Sequence, residues 1–398
     1  MQLVVKSPKA VSVLDNLILC LYSAYFILKP FYLWNSGIPQ IADLTMVLLI
    51  TVFFALKKRF TLTIEKKAKK IVVTGFILTY YVIIFNLLWL LILNAKDSFL
   101  LPSLYYMYNF LVLLLIIALY SEYKHKILKL TYKAALISVV LQMVVYVLEG
   151  GFSGGRTTVG FNNPNQLGYY GLLIICILIY TAKKLEVKIK WYILGICCSL
   201  VLVLASLSKA AILSTIGVIV FSLISNYKTI LFTRKYVFLF LVGTLVFSYL
   251  YVFGKSQIPL LQSVERRISS IGQDYDDSLD GRGYLRVLEY PKYWLFGSGE
   301  GAYERFQSLT GVELHSTLGN QFVSYGIVGT VLLLLLFHYC LKNDNYRSWY
   351  LLFFVLLYGL THNGIRNSLL WILLGIISLN YRTDMNKEEL RIEKPNFK

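Results

Sequence analysis

Twelve apolar stretches of roughly 20 residues run through this chain of 398 residues. They cover residues 11–28, 38–56, 71–93, 100–120, 127–148, 164–181, 191–207, 210–225, 236–253, 318–337, 348–360 and 364–380. Because a bilayer offers no water to satisfy backbone N–H and C=O groups, such a stretch crosses it only as a helix. Only 15% of the residues are charged, whereas a soluble domain has about 25%. The sequence predicts an all-α integral membrane protein with about twelve transmembrane helices.

Basic residues orient these helices. Of the 39 Lys and Arg residues, 27 lie in the two termini or in the even-numbered connections between spans, counted from the N-terminus. Cytoplasmic loops carry this excess, so both termini are predicted to be cytoplasmic. The net charge of +18 therefore reflects topology, and no nucleic-acid partner is expected.

The chain divides around one long outer segment. Residues 1–253 are predicted to hold helices 1–9 with short loops, and 254–317 to form a large extracytoplasmic loop. Helices 10–12 follow at 318–380, and 381–398 form a cytoplasmic tail. The large loop carries 9 of the 21 acidic residues beside 7 basic ones, which indicates a small extracytoplasmic subdomain.

A polar motif precedes the sixth span. It runs from Arg156 through Gly160-Phe-Asn-Asn163-Pro-Asn165 to Gly168. Gly and Asn favour tight turns, and Pro164 suits the first position of a helix. Unpaired N–H groups at such a helix start suit an anion. A purely structural turn with an interfacial cap is the alternative.

This motif and those that follow it resemble the O-antigen polymerase and ligase superfamily of bacterial membrane proteins. Members have a Ser-rich connection with a basic residue, which Ser206-Leu-Ser208-Lys209 matches with Lys where Arg is commoner. A long outer loop with arginines, a Gly-x-Gly turn, a His and a Gly-Ile-x-Gly helix follow. The corresponding residues here are Arg282, Arg286, Gly297-Ser-Gly299, His315 and Gly326-Ile-Val-Gly329.

The resemblance implies a glycosyltransferase in the bacterial plasma membrane, with its active site on the extracytoplasmic face. It would polymerise oligosaccharide repeats linked to undecaprenyl diphosphate into capsule or O-antigen type polysaccharide. A ligase that transfers the finished glycan to another acceptor is the nearest alternative. The expected partners are the lipid-linked oligosaccharide, membrane lipids, a flippase and a chain-length regulator.

Arginines on the predicted outer side are candidates for holding the diphosphate. The guanidinium fork binds phosphate oxygens bidentately and keeps its charge. The alternative for each is an ion pair with the acidic loop, and Arg266 and Arg267 are interpreted as solvated. The diphosphate candidates are Arg156, Arg282, Arg286 and Arg366, with Asn163, Asn165, Lys209 and His362 as substrate-binding or structural residues.

A general base must take the proton of the attacking sugar hydroxyl, and histidine suits this task near neutral pH. His315 is the candidate, because it ends the long loop and matches the family position. A capping role is its alternative. His362 is a second site residue or an interfacial anchor, while Glu300, Glu304 and Glu313 are alternative bases.

No metal or other cofactor is expected. Asp274-Tyr-Asp276-Asp277 resembles the DxD metal clamp of nucleotide-sugar transferases, but nucleotide sugars are cytoplasmic and this segment is predicted to lie outside. A solvated acidic turn is the favoured interpretation.

A flippase or transporter is the function from a different class. It requires cationic residues along a central cavity, whereas these spans are nearly free of charge.

Overall fold

The computed structural model describes residues 13–56, 66–94, 99–185, 187–225, 259–273, 278–279, 281–306 and 314–379. Within these ranges the chain is helical and contains no β-strand, which confirms the predicted all-α class. The helices are α1 (Val13–Leu28), α2 (Ile41–Leu56), α3 (Lys66–Leu93), α4 (Leu100–Tyr123), α5 (His125–Leu148), α6 (Pro164–Lys184), α7 (Ile189–Ser206), α8 (Lys209–Ser225), α9 (Pro259–Ser269), α10 (Leu285–Glu289), α11 (Thr317–Asn343), α12 (Trp349–Tyr358) and α13 (Ser368–Ile377).

Six of the described helices, α3 to α7 and α11, are long and apolar enough to cross a membrane. Helices α1, α2, α8, α12 and α13 are apolar but shorter. Eleven of the twelve predicted spans coincide with these helices, and the predicted span 236–253 lies outside the described residues. The chain is therefore an all-α membrane protein.

Helices α6 and α13 form the centre of the bundle. Helix α6 packs against α5, α7, α8 and α13, and all ten residues of α13 are buried. Near the starts of both helices, the hydroxyl of Tyr169 donates to the carbonyl oxygen of Gly364 at 3.3 Å. The two helices therefore begin at the same end of the bundle, and the loops that precede them lie together.

Charged side chains at the helix ends are paired. Lys29 follows α1 and lies 3.0 Å from the carboxylate of Asp43 in the first turn of α2. Lys184 at the end of α6 lies 2.8 Å from Asp344, which follows α11. Because each pair joins neighbouring helices and is largely buried, each holds helix ends in register.

Helix α11 is interrupted near its start. Gly326 has φ 65° and ψ −168°, so the regular hydrogen-bond ladder stops there. A turn from the preceding loop supplies the missing partners: the N–H of Ile327 donates to the carbonyl of Trp294 at 2.7 Å, and the N–H of Gly299 donates to the carbonyl of Ser324 at 2.8 Å. A broken helix at membrane depth requires such protein partners for its backbone.

Two glycines allow this close approach. Gly297 has φ +87°, and a Cβ placed there would lie 2.2 Å from the carbonyl oxygen of Ser324. A Cβ at Gly326 would lie 2.3 Å from the carbonyl oxygen of Leu295. Only glycine combines a positive φ with the absence of a side chain, so these motifs fix the loop that precedes α11 onto that helix.

Candidate active site

The Asn-Pro-Asn segment, residues 163–165, begins α6. Asn163 is the N-cap, and its side-chain oxygen accepts the N–H of Asn165 at 2.8 Å. Pro164 takes the first helical position, which confirms the predicted helix start. The side-chain oxygen of Asn165 accepts a hydrogen bond from Nη2 of Arg156 at 2.7 Å. The segment therefore holds an exposed arginine at the N-terminal end of a central helix.

The turn between α7 and α8 packs directly against this helix start. Nε of Arg156 donates to the carbonyl oxygen of Ser206 at 3.1 Å. A Cβ at Gly168 would lie 2.7 Å from Oγ of Ser206, so only glycine fits at that position of α6. The Asn-Pro-Asn segment and the Ser-rich turn thus meet, although the hairpin of α6 and α7 separates them along the chain.

Two basic residues connect the Ser-rich turn to α9. Nζ of Lys209 donates to the carbonyl oxygen of Ser270 at 2.8 Å. Nε of Arg267 donates to the carbonyl oxygen of Leu207 at 3.3 Å, and Arg267 is half-buried. The expectation of a solvated side chain is therefore wrong for Arg267, because this carbonyl lies within its reach. Arg266 is exposed, as expected.

Arg282 joins the loop that precedes α11 to the connection between α12 and α13. Its Nη1 donates to the carbonyl oxygen of Thr361 at 2.6 Å. Its own carbonyl oxygen accepts the N–H of His315 at 3.3 Å. Arg282 therefore lies beside both the predicted base and the residue that precedes His362.

His315 is exposed at the entrance to α11. The cap of this helix is the next residue, Ser316, whose Oγ accepts the N–H of Gly319 at 3.0 Å. The capping alternative for His315 is therefore wrong, because Ser316 already fills that role.

Three aromatic rings stack toward the same place. The ring of Tyr358 lies 4.4 Å from that of Tyr169 at an interplanar angle of 8°, and 4.8 Å from that of His362 at 14°. The hydroxyl of Tyr358 donates to the carbonyl oxygen of Asn165 at 3.1 Å. The stack thus links His362 to the Asn-Pro-Asn segment. We use the name polar junction for six residues in and around this stack. They are Arg156, Asn165, Arg282, His315, Tyr358 and His362.

The electrostatics agree with this grouping. Burial lowers the pKa of His362 from its ordinary value of 6.5 to about 3. The charges of Arg282, His315 and Arg156 act in the same direction, in that order of size. His362 is therefore neutral at physiological pH, beside groups that favour an anion.

Arg286 lies elsewhere in the loop. It is 2% exposed, and its guanidinium carbon lies 4.7 Å from the ring centroid of Phe306 and 5.6 Å from that of Tyr303. Arg305 covers Phe306 at 4.8 Å. Arg286 thus belongs to a buried cluster of arginines and aromatic rings.

Arg366 pairs with an acidic residue, which is the alternative that the sequence left open for each arginine. Its Nη2 donates to Oε1 of Glu300, a residue with no solvent exposure. The same carboxylate accepts from Asn320 at 3.0 Å and from the hydroxyl of Tyr325 at 2.9 Å. Glu300 thus fixes the preceding loop to α11 and cannot reach a substrate while it is enclosed.

The remaining acidic groups that the sequence singled out are Glu304, Glu313 and the segment Asp274–Asp277. Glu304 is exposed, while Glu313 and the Asp274–Asp277 segment lie outside the described residues. No group of three or more His, Cys, Asp or Glu residues suited to a metal ion occurs in the described part of the chain.

Sequence patterns thus identified five of the six residues of the polar junction. They did not identify Tyr358, which is one aromatic residue among many in an apolar span. They also did not indicate the contact of Arg267, because a pair of arginines beside a glutamate looks solvated in sequence.

A protein-family model described as O-antigen ligase matches residues 193–337. This range extends from α7 through most of α11. The predicted site residues inside it are Lys209, Arg282, Arg286 and His315. The predicted site residues outside it are Arg156, Asn163, Asn165, His362 and Arg366. No curated protein matches the chain.

Proposed function

We propose that this chain is a membrane glycosyltransferase of the O-antigen polymerase and ligase superfamily, which the family match at residues 193–337 supports. It polymerises oligosaccharide repeats linked to undecaprenyl diphosphate into a capsule or O-antigen type polysaccharide. The growing polymer is the donor, and the terminal sugar of an incoming lipid-linked repeat is the acceptor.

The observation that carries this proposal is the polar junction itself. Two arginines and two histidines from three separate parts of the chain meet where α6 begins and α12 ends. Arg156 and Arg282 supply fixed positive charge for the departing diphosphate, since a guanidinium retains its proton at any physiological pH. Arg282 is half-buried, which lowers the local dielectric and strengthens this attraction.

His315 is the proposed general base. The hydroxyl oxygen of the acceptor attacks the anomeric carbon of the donor, and the bond from that carbon to the diphosphate oxygen breaks. The electron pair of this bond goes to the diphosphate, and the hydroxyl proton goes to His315. The reaction requires no oxidant or metal, because the arginines stabilise the leaving group.

Arg286 and Arg366 have supporting roles in this proposal. Arg286 holds the aromatic part of the outer loop, and Arg366 neutralises the buried carboxylate of Glu300. Asn163 shapes the start of α6, and Lys209 joins the Ser-rich turn to α9.

The chemistry is proposed to take place on the extracytoplasmic face of a bacterial plasma membrane, with both termini in the cytoplasm. Reporter fusions after Lys70, Lys190 and Arg234 should report cytoplasm, and fusions after Ser153 or Tyr275 the outside. A cytoplasmic signal at Tyr275 would put the long loop on the wrong side for a translocated substrate.

The test of function uses purified protein and the lipid-linked repeat of its own host. We expect wild type to give a ladder of polymer sizes. His315→Ala should leave single repeats, because loss of a positioned base costs about 10²–10⁴-fold in rate. His315→Gln should not restore polymer, since an amide cannot take the proton. A near-normal rate for His315→Gln would place the base elsewhere.

A ligase is the second candidate, favoured by the description of the family that matches. It would transfer the glycan to a separate acceptor and would form no ladder from lipid-linked repeats alone. Assays with and without an added acceptor glycolipid therefore separate the two activities.

A further inference from the structure

We infer that His362 is a hydrogen-bond acceptor for a hydroxyl of the bound glycan, other than the hydroxyl that reacts at His315. The role is that of a positioning residue which contributes to substrate specificity. This inference rests on the proposed glycosyl transfer and adds a contact to the sugar beside the contacts to the diphosphate.

The first observation is that the ring is held on one face. Tyr358 stacks on it at 4.8 Å, and Tyr358 is itself backed by Tyr169 and 3% exposed. The carbonyl oxygen of His362 accepts the hydroxyl of Thr317 at 3.0 Å, which fixes the backbone. The imidazole therefore has little rotational freedom.

The second observation is that the tautomer of His362 is coupled to a neighbouring hydroxyl group. Oγ1 of Thr361 lies 2.9 Å from Nδ1 of His362. The same hydroxyl is also within reach of the carbonyl oxygen of Tyr358 at 3.2 Å. When it donates to that carbonyl, Nδ1 carries the ring proton and donates it to Oγ1, which leaves Nε2 with a lone pair.

The third observation is that Nε2 has no hydrogen-bond partner within the ranges that the structure describes, while the ring is only partly buried. A fixed, neutral acceptor without a protein partner is suited to a donor from the substrate. Sugars present such donors in their hydroxyl groups, whereas the diphosphate presents only acceptors.

The neighbouring charges explain why this acceptor stays neutral. Arg282 is held by the carbonyl of Thr361, next to the ring, and Arg156 approaches through Asn165. The backbone of His315 is hydrogen-bonded to that of Arg282. A second positive charge at His362 would oppose these groups, so the ring offers its lone pair over the whole physiological pH range.

The experiment compares two amide variants in the purified, membrane-reconstituted enzyme. The amide oxygen of His362→Gln reaches approximately the position of Nε2, whereas the shorter His362→Asn reaches only that of Nδ1. One lost hydrogen bond corresponds to roughly a 3- to 10-fold change. We expect His362→Asn to raise KM for the lipid-linked repeat by this factor with kcat nearly unchanged, and His362→Gln to recover most of the affinity.

Thr361 gives an independent test of the tautomer. Thr361→Val removes the acceptor for Nδ1–H and should raise KM as His362→Asn does, whereas Thr361→Ser keeps the hydroxyl and should rescue it. Thr45→Val is the matched control, because Thr45 donates to the carbonyl of Ile41 within α2, away from the junction.

Several outcomes would overturn the inference. Unchanged KM in both His362→Asn and Thr361→Val would show that no glycan hydroxyl binds here. A fall of kcat by 10²-fold or more, with loss of the acidic limb of the pH profile, would make His362 the base instead. Equal loss in Asn and Gln variants together with a lower melting temperature would make it structural. If wild type itself forms no product with or without a separate acceptor, the proposed function fails, which is a distinct result.

Discussion

The ion pair between Glu300 and Arg366 allows a quantitative test of how the loop that precedes α11 is held. Glu300 has no solvent exposure, while the side chain of Arg366 is 29% exposed. Arg366→Met would leave a buried carboxylate whose remaining side-chain donors are Asn320 and Tyr325. Breaking a buried pair in this way costs about 3–5 kcal/mol.

Removing the other partner should cost less. In Glu300→Gln the amide oxygen still accepts a hydrogen bond, and the partly exposed guanidinium of Arg366 remains hydrated above the ring of Tyr105 at 5.4 Å. We expect a loss of roughly 1–3 kcal/mol, the range for one unsatisfied buried polar group. The double variant should lose less than the sum of the single losses, because no uncompensated charge remains.

The assay is reversible unfolding in detergent micelles, combined with the ladder assay for polymer. Lys184→Met is the matched control, because it breaks a second buried pair at the opposite end of α6. It should lower stability without changing KM. Strictly additive losses for Glu300→Gln and Arg366→Met would refute the coupling. If the double variant regains stability but stays inactive, Arg366 would instead be interpreted as a ligand of the diphosphate.

Three further predictions follow from single positions. Gly297→Ala should strongly reduce folded protein, since its Cβ would lie 2.2 Å from a backbone oxygen, whereas Gly37→Ala, also at positive φ but with open space around it, should be mild in a melting assay. Arg156→Ala should shorten the polymer strongly. Arg156→Lys should shorten it as well, though less, because one ammonium cannot reproduce the hydrogen bonds from both Nε and Nη2. The control Arg266→Ala should leave polymer length unchanged, and equal ladders from all three variants would exclude a role for Arg156. Finally, His362 takes up a proton below pH 6.5 in the unfolded state but only near pH 3 in the folded state. The free energy of unfolding should therefore fall by roughly 2 kcal/mol as the pH is lowered from 6.5 to 5. His362→Gln should flatten this pH dependence, and an unchanged slope in that variant would contradict the prediction.

Sequence patterns predicted the helices well, because each span satisfies its own backbone and its length follows from the bilayer. Helix starts were predictable where local chemistry decides them, as at Asn163 and Pro164. The break of α11 at Gly326 was not, because it depends on a turn from another part of the chain. Glycine is also common where two membrane helices pack closely, so the residue alone does not indicate a broken helix.

The roles of the arginines were predictable only in part. Each of the four candidate arginines can bind phosphate or pair with a carboxylate. Which of the two it does depends on the residues that lie nearby in space. Arg366 meets Glu300, Arg286 meets aromatic rings, and Arg282 meets a backbone carbonyl. Hydropathy and spacing do not encode these contacts, since partners come from distant segments.

The matched family range is smaller than the site. Residues 193–337 contribute Arg282 and His315, but Arg156 and Asn165 come from the segment before this range and His362 from the segment after it. Direct hydrogen bonds join the three parts: Arg156 to Ser206, and Arg282 to Thr361. The central helices α6 and α13 also lie outside the match and bring their starting loops to the same end of the bundle. An isolated 193–337 fragment would lack one of the two junction arginines and the stacked rings, so the unit that forms the polar junction extends at least from Arg156 to His362.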